Sequence, residues 1–161
     1  MSRQIRSIAK RLTPRWLCAT RLRPTAGNSI LLTFDDGPHP VATPAVLDRL
    51  NEHNAKALFF VIGKCIKLAP KILTRILDEG HWLGNHTYNH SNEKTPFREY
   101  LGEVQKCQEA IFDHSGTYPR FHRPPWGRLT TASLFAPKKC GLSNMHWSRS
   151  AEDSRLSSDA A

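Results

Sequence analysis

The sequence predicts an α/β fold built on a parallel sheet, and three observations carry that expectation. Five short apolar runs read as strands and alternate with segments of helical periodicity. Each run lies too far from the next for a hairpin, so the connections must be right-handed crossovers between parallel strands. The polar clusters Asp35-Asp36, His86, Arg123-Pro124 and the segment after Trp147 each follow a predicted strand, at the sheet edge where α/β proteins bind ligands. Periodicity alone fits an open doubly wound sheet as well as a barrel. A length of 161 residues suits one core.

The elements follow in order. A first strand is expected from Ile30 to Phe34, ending at Asp35-Asp36-Gly37-Pro38. Thr43 reads as a helix N-cap with Pro44 at the first helical position, and Val46, Leu47 and Leu50 supply an apolar face. Lys56 to Ile62 reads as a second strand. Pro70 opens a helix carrying Ile72, Leu73, Ile76 and Leu77 on one side, with Gly80 as its stop. Trp82 and Leu83 begin a third strand. A longer helix is expected from about Pro96 to His114, on Phe97, Leu101, Val104, Ala110 and Ile111. Arg120 to Arg123 reads as a strand, Thr130 to Cys140 as a helix interrupted by Pro137, and Leu142 to Trp147 as the fifth strand.

Composition excludes several classes. Hydrophobic residues make up 39% and charged residues 23%, with 7 Phe and 4 Trp, which is not the profile of a disordered chain. The longest clean apolar run, Ala57 to Ile62, falls far short of the roughly 18 residues of a membrane-spanning helix. The net charge of +9 is unevenly placed. Residues 1–27 carry Arg3, Arg6, Lys10, Arg11, Arg15, Arg21 and Arg23 with no acidic residue, whereas the rest is close to neutral. A near-neutral body with a basic arm does not suit a nucleic-acid-binding domain, and no nucleic-acid partner is expected. Within the arm, Ile5, Ile8, Leu12, Trp16 and Leu17 recur at helical intervals between the arginines, so residues 1–27 read as an amphipathic arm ahead of a domain spanning 28–161. Such an arm suits peripheral contact with an anionic membrane surface, an organelle transit peptide, or a leader packed on the domain. It lacks the apolar core of a secretory signal, which favours a cytoplasmic or peripheral membrane location over export. Cys18, Cys65, Cys107 and Cys140 are scattered without a C-x-x-C pair and read as ordinary thiols.

Two motifs carry chemistry. Thr33-Phe34-Asp35-Asp36-Gly37-Pro38 places two carboxylates at a strand end, where adjacent side chains diverge and can serve two purposes. His86-Thr87-Tyr88-Asn89-His90 sets two imidazoles at i and i+4, on one side if these residues form a helical turn. Thr87 stands where a zincin-type H-E-x-x-H motif has its catalytic Glu, so any base must come from Asp35 or Asp36. One carboxylate with two histidines makes a three-ligand site with open positions, suited to zinc and equally to a non-haem Fe(II) facial triad. The spare aspartate favours hydrolysis, which needs a base. The other histidines, His39, His53, His81, His114, His122 and His146, show no comparable spacing and default to structural roles.

Taken together and in order, T-F-D-D-G-P, G-N-H-T-Y-N-H and R-P-P-W-G resemble the motifs of the polysaccharide deacetylase family, the carbohydrate esterases that share the NodB homology domain. The resemblance covers residues 28 to 153. It implies a distorted (β/α) barrel and metal-dependent removal of N- or O-linked acetyl groups from chitin-like, peptidoglycan or xylan-type glycans, with Zn²⁺ or another divalent ion such as Co²⁺ or Ni²⁺. Residue by residue, it implies Asp35 as the catalytic base, Asp36, His86 and His90 as metal ligands, and Arg123 as the arginine orienting the base. Pro125, Trp126 and Gly127 fall to substrate binding, with a backbone amide near Trp126 as oxyanion donor and the Trp126 ring as a wall of the groove. Residues 147–154 are similar to the family's fourth motif, which supports the arginine. There Asp153 matches, while Ser150 replaces an acidic residue and Ser154 a tryptophan. The fifth motif, an apolar residue with a general-acid His, has no counterpart, so the barrel is expected to be incomplete and catalysis weak. The alternative is a catalytically degenerate domain that binds a glycan or a metal.

Overall fold

The structure, a computed structural model, describes residues 14, 15, 17–20 and 29–150. Most of the basic arm, together with Asp153 and Ser154, lies outside the described residues. Strands and helices follow one another as β1 (Leu32–Gly37), α1 (Ala42–Glu52), β2 (Ala57–Val61), α2 (Gly63–Leu68), α3 (Pro70–Asp78), β3 (Trp82–Asn85), α4 (Phe97–Ser115), β4 (Phe121–His122), a 3₁₀ turn at Pro125–Gly127, α5 (Thr131–Lys139) and β5 (Ser143–Asn144). The five strands form one parallel sheet in the order β1-β2-β3-β4-β5, as their alternation with helices predicts.

Strand β2 is buried on both faces. Ala57, Phe59 and Val61 of β2 face the helices and pack with Leu47, Leu50, Leu73, Ile76 and Ile111. A second cluster, Tyr100, Val104, Ala132, Ala136 and Leu142, joins α4 and α5 to the start of β5. On the opposite face of β2 the Phe60 ring lies under the guanidinium of Arg123, 4.1 Å from centroid to carbon. Gly84 of β3 lets Phe60 lie flat there, because a Cβ at 84 would come within 2.5 Å of its ring.

Local differences from the sequence expectation have identifiable causes. The helix after β1 starts at Ala42, so Thr43 is not its cap. The imidazole of His39 takes that role, its Nδ1 accepting from the N–H groups of Val41 (3.2 Å) and Ala42 (3.1 Å), while Thr43 Oγ1 accepts from the His39 N–H. Helix α2 has no counterpart in the expected elements. It is only six residues long, and its first two N–H groups donate to the carbonyls of Thr87 and Tyr88. Pro137 sits within α5, which runs on to Lys139 from a capping box of Thr130 and Ser133.

At the far side of the sheet, residues 17–20 run beside the last strand. Ala19 bridges Met145 in parallel, donating to the Asn144 carbonyl and accepting from the His146 N–H, and Leu17 and Cys18 are buried. That part of the segment 1–27 is therefore hydrogen-bonded to the domain. Beneath it runs a buried polar chain. Tyr100 Oη donates to His122 Nε2 (3.2 Å), His122 Nδ1 donates to Asn144 Oδ1 (2.8 Å), and Asn144 Nδ2 donates to the Leu134 and Leu17 carbonyls. Burial holds His122 neutral, its pKa pushed down to about 3. Among the described residues no helix is long and apolar enough to cross a membrane.

Candidate active site and metal centre

The sequence places its polar clusters at strand C-terminal ends, and the sheet brings three of them together. Asp35 and Asp36 end β1, His86 follows β3, and Arg123 follows β4. The two aspartates diverge, although not through simple strand alternation. The pairing of β1 with β2 shifts register between Phe34 and Gly37, and Asp36 adopts a left-handed backbone (φ 69°). This bulge turns Asp36 toward the histidines and leaves Asp35 facing Arg123.

Asp36 Oδ1 lies 3.3 Å from His86 Nε2 and 3.1 Å from His90 Nε2. The hydrogen bonds from these two imidazoles hold its carboxyl well below the usual carboxylate range, against the opposing effect of partial burial. One ligand atom from each of the three residues lies within 4.8 Å of the others. Bonds of about 2.0–2.2 Å in a tetrahedral arrangement put neighbouring ligand atoms roughly 3.3 Å apart, so the observed spacing and donor set fit a zinc-sized ion. The second nitrogen of His86 is committed. Its Nδ1 donates to the Arg123 carbonyl at 2.7 Å, which orients the ring with Nε2 toward Asp36.

The two histidines converge without a helical turn. Residues 86–90 form a loop in which Thr87 (φ 66°) and His90 (φ 63°) are both left-handed, rare for side chains of these types. Tertiary hydrogen bonds outweigh the local preference. Asn85 Oδ1 accepts from the Thr87 N–H while its Nδ2 donates to the Val104 carbonyl, and α2 takes the carbonyls of Thr87 and Tyr88.

Asp35 is held from the other side. Arg123, 2% exposed, donates through Nη1 to Asp35 Oδ1 (2.7 Å) and Thr33 Oγ1 (2.8 Å), and through Nε to the Met145 carbonyl (3.3 Å). Burial lowers the guanidinium pKa and the Asp35 charge raises it. Arg123 thus touches both halves of the site, Asp35 through its side chain and His86 through its carbonyl.

Of the three residues expected to meet substrate, only Trp126 presents open surface. It is 62% exposed, with its ring centroid 4.9 Å from that of His90. Pro125 and Gly127 are buried. Gly127 (φ 60°) has no room for a side chain, since a Cβ there would come within 2.5 Å of Trp147 and 2.9 Å of His146 Cε1. The turn is closed by the N–H groups of Gly127 and Arg128 on the carbonyls of Pro124 and Pro125. An ion pair between Arg128 and Glu93 ties this turn to the loop after His90. Asp153 lies outside the described residues. Sequence reasoning missed Thr33, which shares the face of Asp35 two residues earlier on β1, and Asn85. The i, i+2 spacing signals the first. Nothing in the local pattern signals the second.

Comparison with known proteins identifies the family. Residues 22–145 match the sequence profile of the family described as polysaccharide deacetylase. The chain is 40% identical over 125 residues to the peptidoglycan-N-acetylglucosamine deacetylase PgdA of Listeria monocytogenes, covering 77% of this chain and 26% of that protein. It is 41% identical over 125 residues to a chitooligosaccharide deacetylase of Azorhizobium caulinodans, covering 75% of this chain and 59% of that one. The chain therefore spans between about a quarter and three fifths of these two relatives. Among solved structures, peptidoglycan deacetylase PdaC from Bacillus subtilis superimposes with a TM-score of 0.73 at 32% identity, over 79% of this chain and 62% of that one. The match over most of the chain, on the sheet that assembles the aspartates, the histidines and Arg123, establishes that this chain belongs to the polysaccharide deacetylase family.

Proposed function

We propose that this domain hydrolyses acetyl groups from an acetylated glycan, with N-acetylglucosamine units of peptidoglycan or chitooligosaccharides as substrate, and that Asp36, His86 and His90 hold a zinc ion for the reaction. The observation that carries this reading is the divergence of two adjacent aspartates, one onto a buried guanidinium and the other onto two imidazoles. A bound zinc ion would supply Lewis acidity and a lowered water pKa. The remaining work falls to the chain. Arg123 occupies Asp35 Oδ1 and leaves Oδ2 for the attacking water, from which Asp35 takes a proton. The Trp126 N–H, which the turn does not consume, donates to the oxygen that becomes negative as the acetyl carbonyl turns tetrahedral. The exposed Trp126 ring provides an apolar face for a sugar.

Acetate release from chitooligosaccharides and peptidoglycan fragments tests the proposal. Release is expected to stop on chelation and to return with zinc. Asp35→Asn is expected to retain zinc and the fold while losing about 10²- to 10⁴-fold in rate, the range typical of a general base. Release indifferent to chelation, or an Asp35→Asn variant as fast as wild type, would overturn it.

A further inference from the structure

His86 and His90 are supported in different ways. The His86 ring is buried and its second nitrogen is bonded to the Arg123 carbonyl. The polar contact of the His90 side chain is Asp36 itself, so beyond the ring contacts with His86 and Trp126 the position of this ring depends on the backbone of a loop in which His90 is left-handed. The residues on both sides of His90 are gripped by one side chain from another element, the Ser91 N–H being held besides by Thr87 Oγ1 at 3.0 Å. Glu103, on α4, accepts from the Asn89 N–H through Oε2 at 2.7 Å and from Asn89 Nδ2 through Oε1 at 2.8 Å. Its Oε2 also accepts from Ser91 Oγ at 3.2 Å. The residues before and after His90 are thus pinned by a single carboxylate, with both of its oxygens engaged.

We propose that Glu103 is a positioning residue of the metal centre, acting through Asn89 and Ser91 to hold His90 against Asp36. Without this grip His90 can relax toward the ordinary negative-φ region, which swings its ring away from Asp36, whereas His86 stays in place. A charged acceptor suits the task because hydrogen bonds to a carboxylate are stronger than neutral ones. The residues after Glu103 reinforce the same contact, with the Val104 carbonyl accepting from Asn85 and Lys106 lying 3.9 Å above the ring of Tyr88. This inference rests on the zinc site proposed above.

The test is zinc affinity, measured by competition with a chromophoric chelator, alongside thermal melting of the metal-free protein. Glu103→Ala is expected to weaken zinc binding about 10- to 100-fold, the usual cost of losing a group that orients a ligand, while metal-free melting stays within a few degrees of wild type. Glu103→Gln keeps one acceptor oxygen and is expected to restore part of the affinity, and it serves equally if the alanine variant fails to fold. Unchanged affinity in both variants, or a loss of affinity that merely tracks a loss of metal-free stability, would overturn the inference and leave the zinc site standing. Wild-type protein that takes up no zinc would overturn both.

Discussion

Alanine at His86 is expected to leave the protein without stoichiometric zinc and to reduce acetate release to background. The substitution removes one of three ligands and deprives Asp36 of one of the two hydrogen bonds that keep it ionised. It also leaves the Arg123 carbonyl without its donor in a buried setting, so a stability loss of about 1–3 kcal/mol should accompany the loss of metal. His90→Ala should lose metal as completely with a smaller effect on stability, because that ring is partly exposed and its polar contact is Asp36. Elemental analysis with urea unfolding of both variants checks this. Two variants that each keep a full equivalent of zinc would place the metal elsewhere.

The second large effect is expected at Arg123. Removing its side chain strands the Asp35 carboxylate, leaves the Thr33 hydroxyl and the Met145 carbonyl without this donor, and opens a void above Phe60. Breaking a buried ion pair by deleting one partner costs about 3–5 kcal/mol, a large share of the stability of a domain this size. Arg123→Ala should therefore unfold at markedly lower urea concentration, and any folded fraction should hydrolyse as poorly as Asp35→Asn. Lysine is expected to rescue little, since one ammonium cannot reach three acceptors fixed by a planar fork. A midpoint within experimental error of wild type would show that the ion pair carries no such weight.

The strand ends were legible in the sequence because helix periodicity and strand runs alternate so regularly, and the site residues followed because strand ends converge. Asp35, Asp36, His86, His90 and Arg123 all meet where the sequence puts them. The means of convergence was not legible. A bulge at Asp36 and a left-handed loop at 86–90 take the place of the expected strand alternation and helical turn. The loop is held by partners distant in sequence, Val104 and Glu103 on α4, and a local pattern cannot encode such a partner. The same holds for α2, whose first N–H groups find acceptors just beyond the next strand of the chain. The cap at His39 was missed for a different reason. Imidazole is an uncommon cap, and Thr43 is the residue that local preference favours.

The buried chain from Tyr100 through His122 to Asn144 also links folding to proton uptake. In the unfolded chain His122 binds a proton as pH falls through about 6.5, whereas the folded protein refuses it until about pH 3. Between those limits the unfolded state holds the extra proton. Stability contributed at this position is present in full above the upper limit and drains away as the medium acidifies, with a slope approaching about 1.4 kcal/mol per pH unit. Urea titrations from pH 7.5 to 4.5 should show this decline in wild type and a flatter one in His122→Asn, once each is referred to its own value at pH 7.5. Equal slopes would mean that His122 takes no part. Because Asn144 lies beside the strip at residues 17–20, the β4–β5 side of the sheet is where acid should first open the domain.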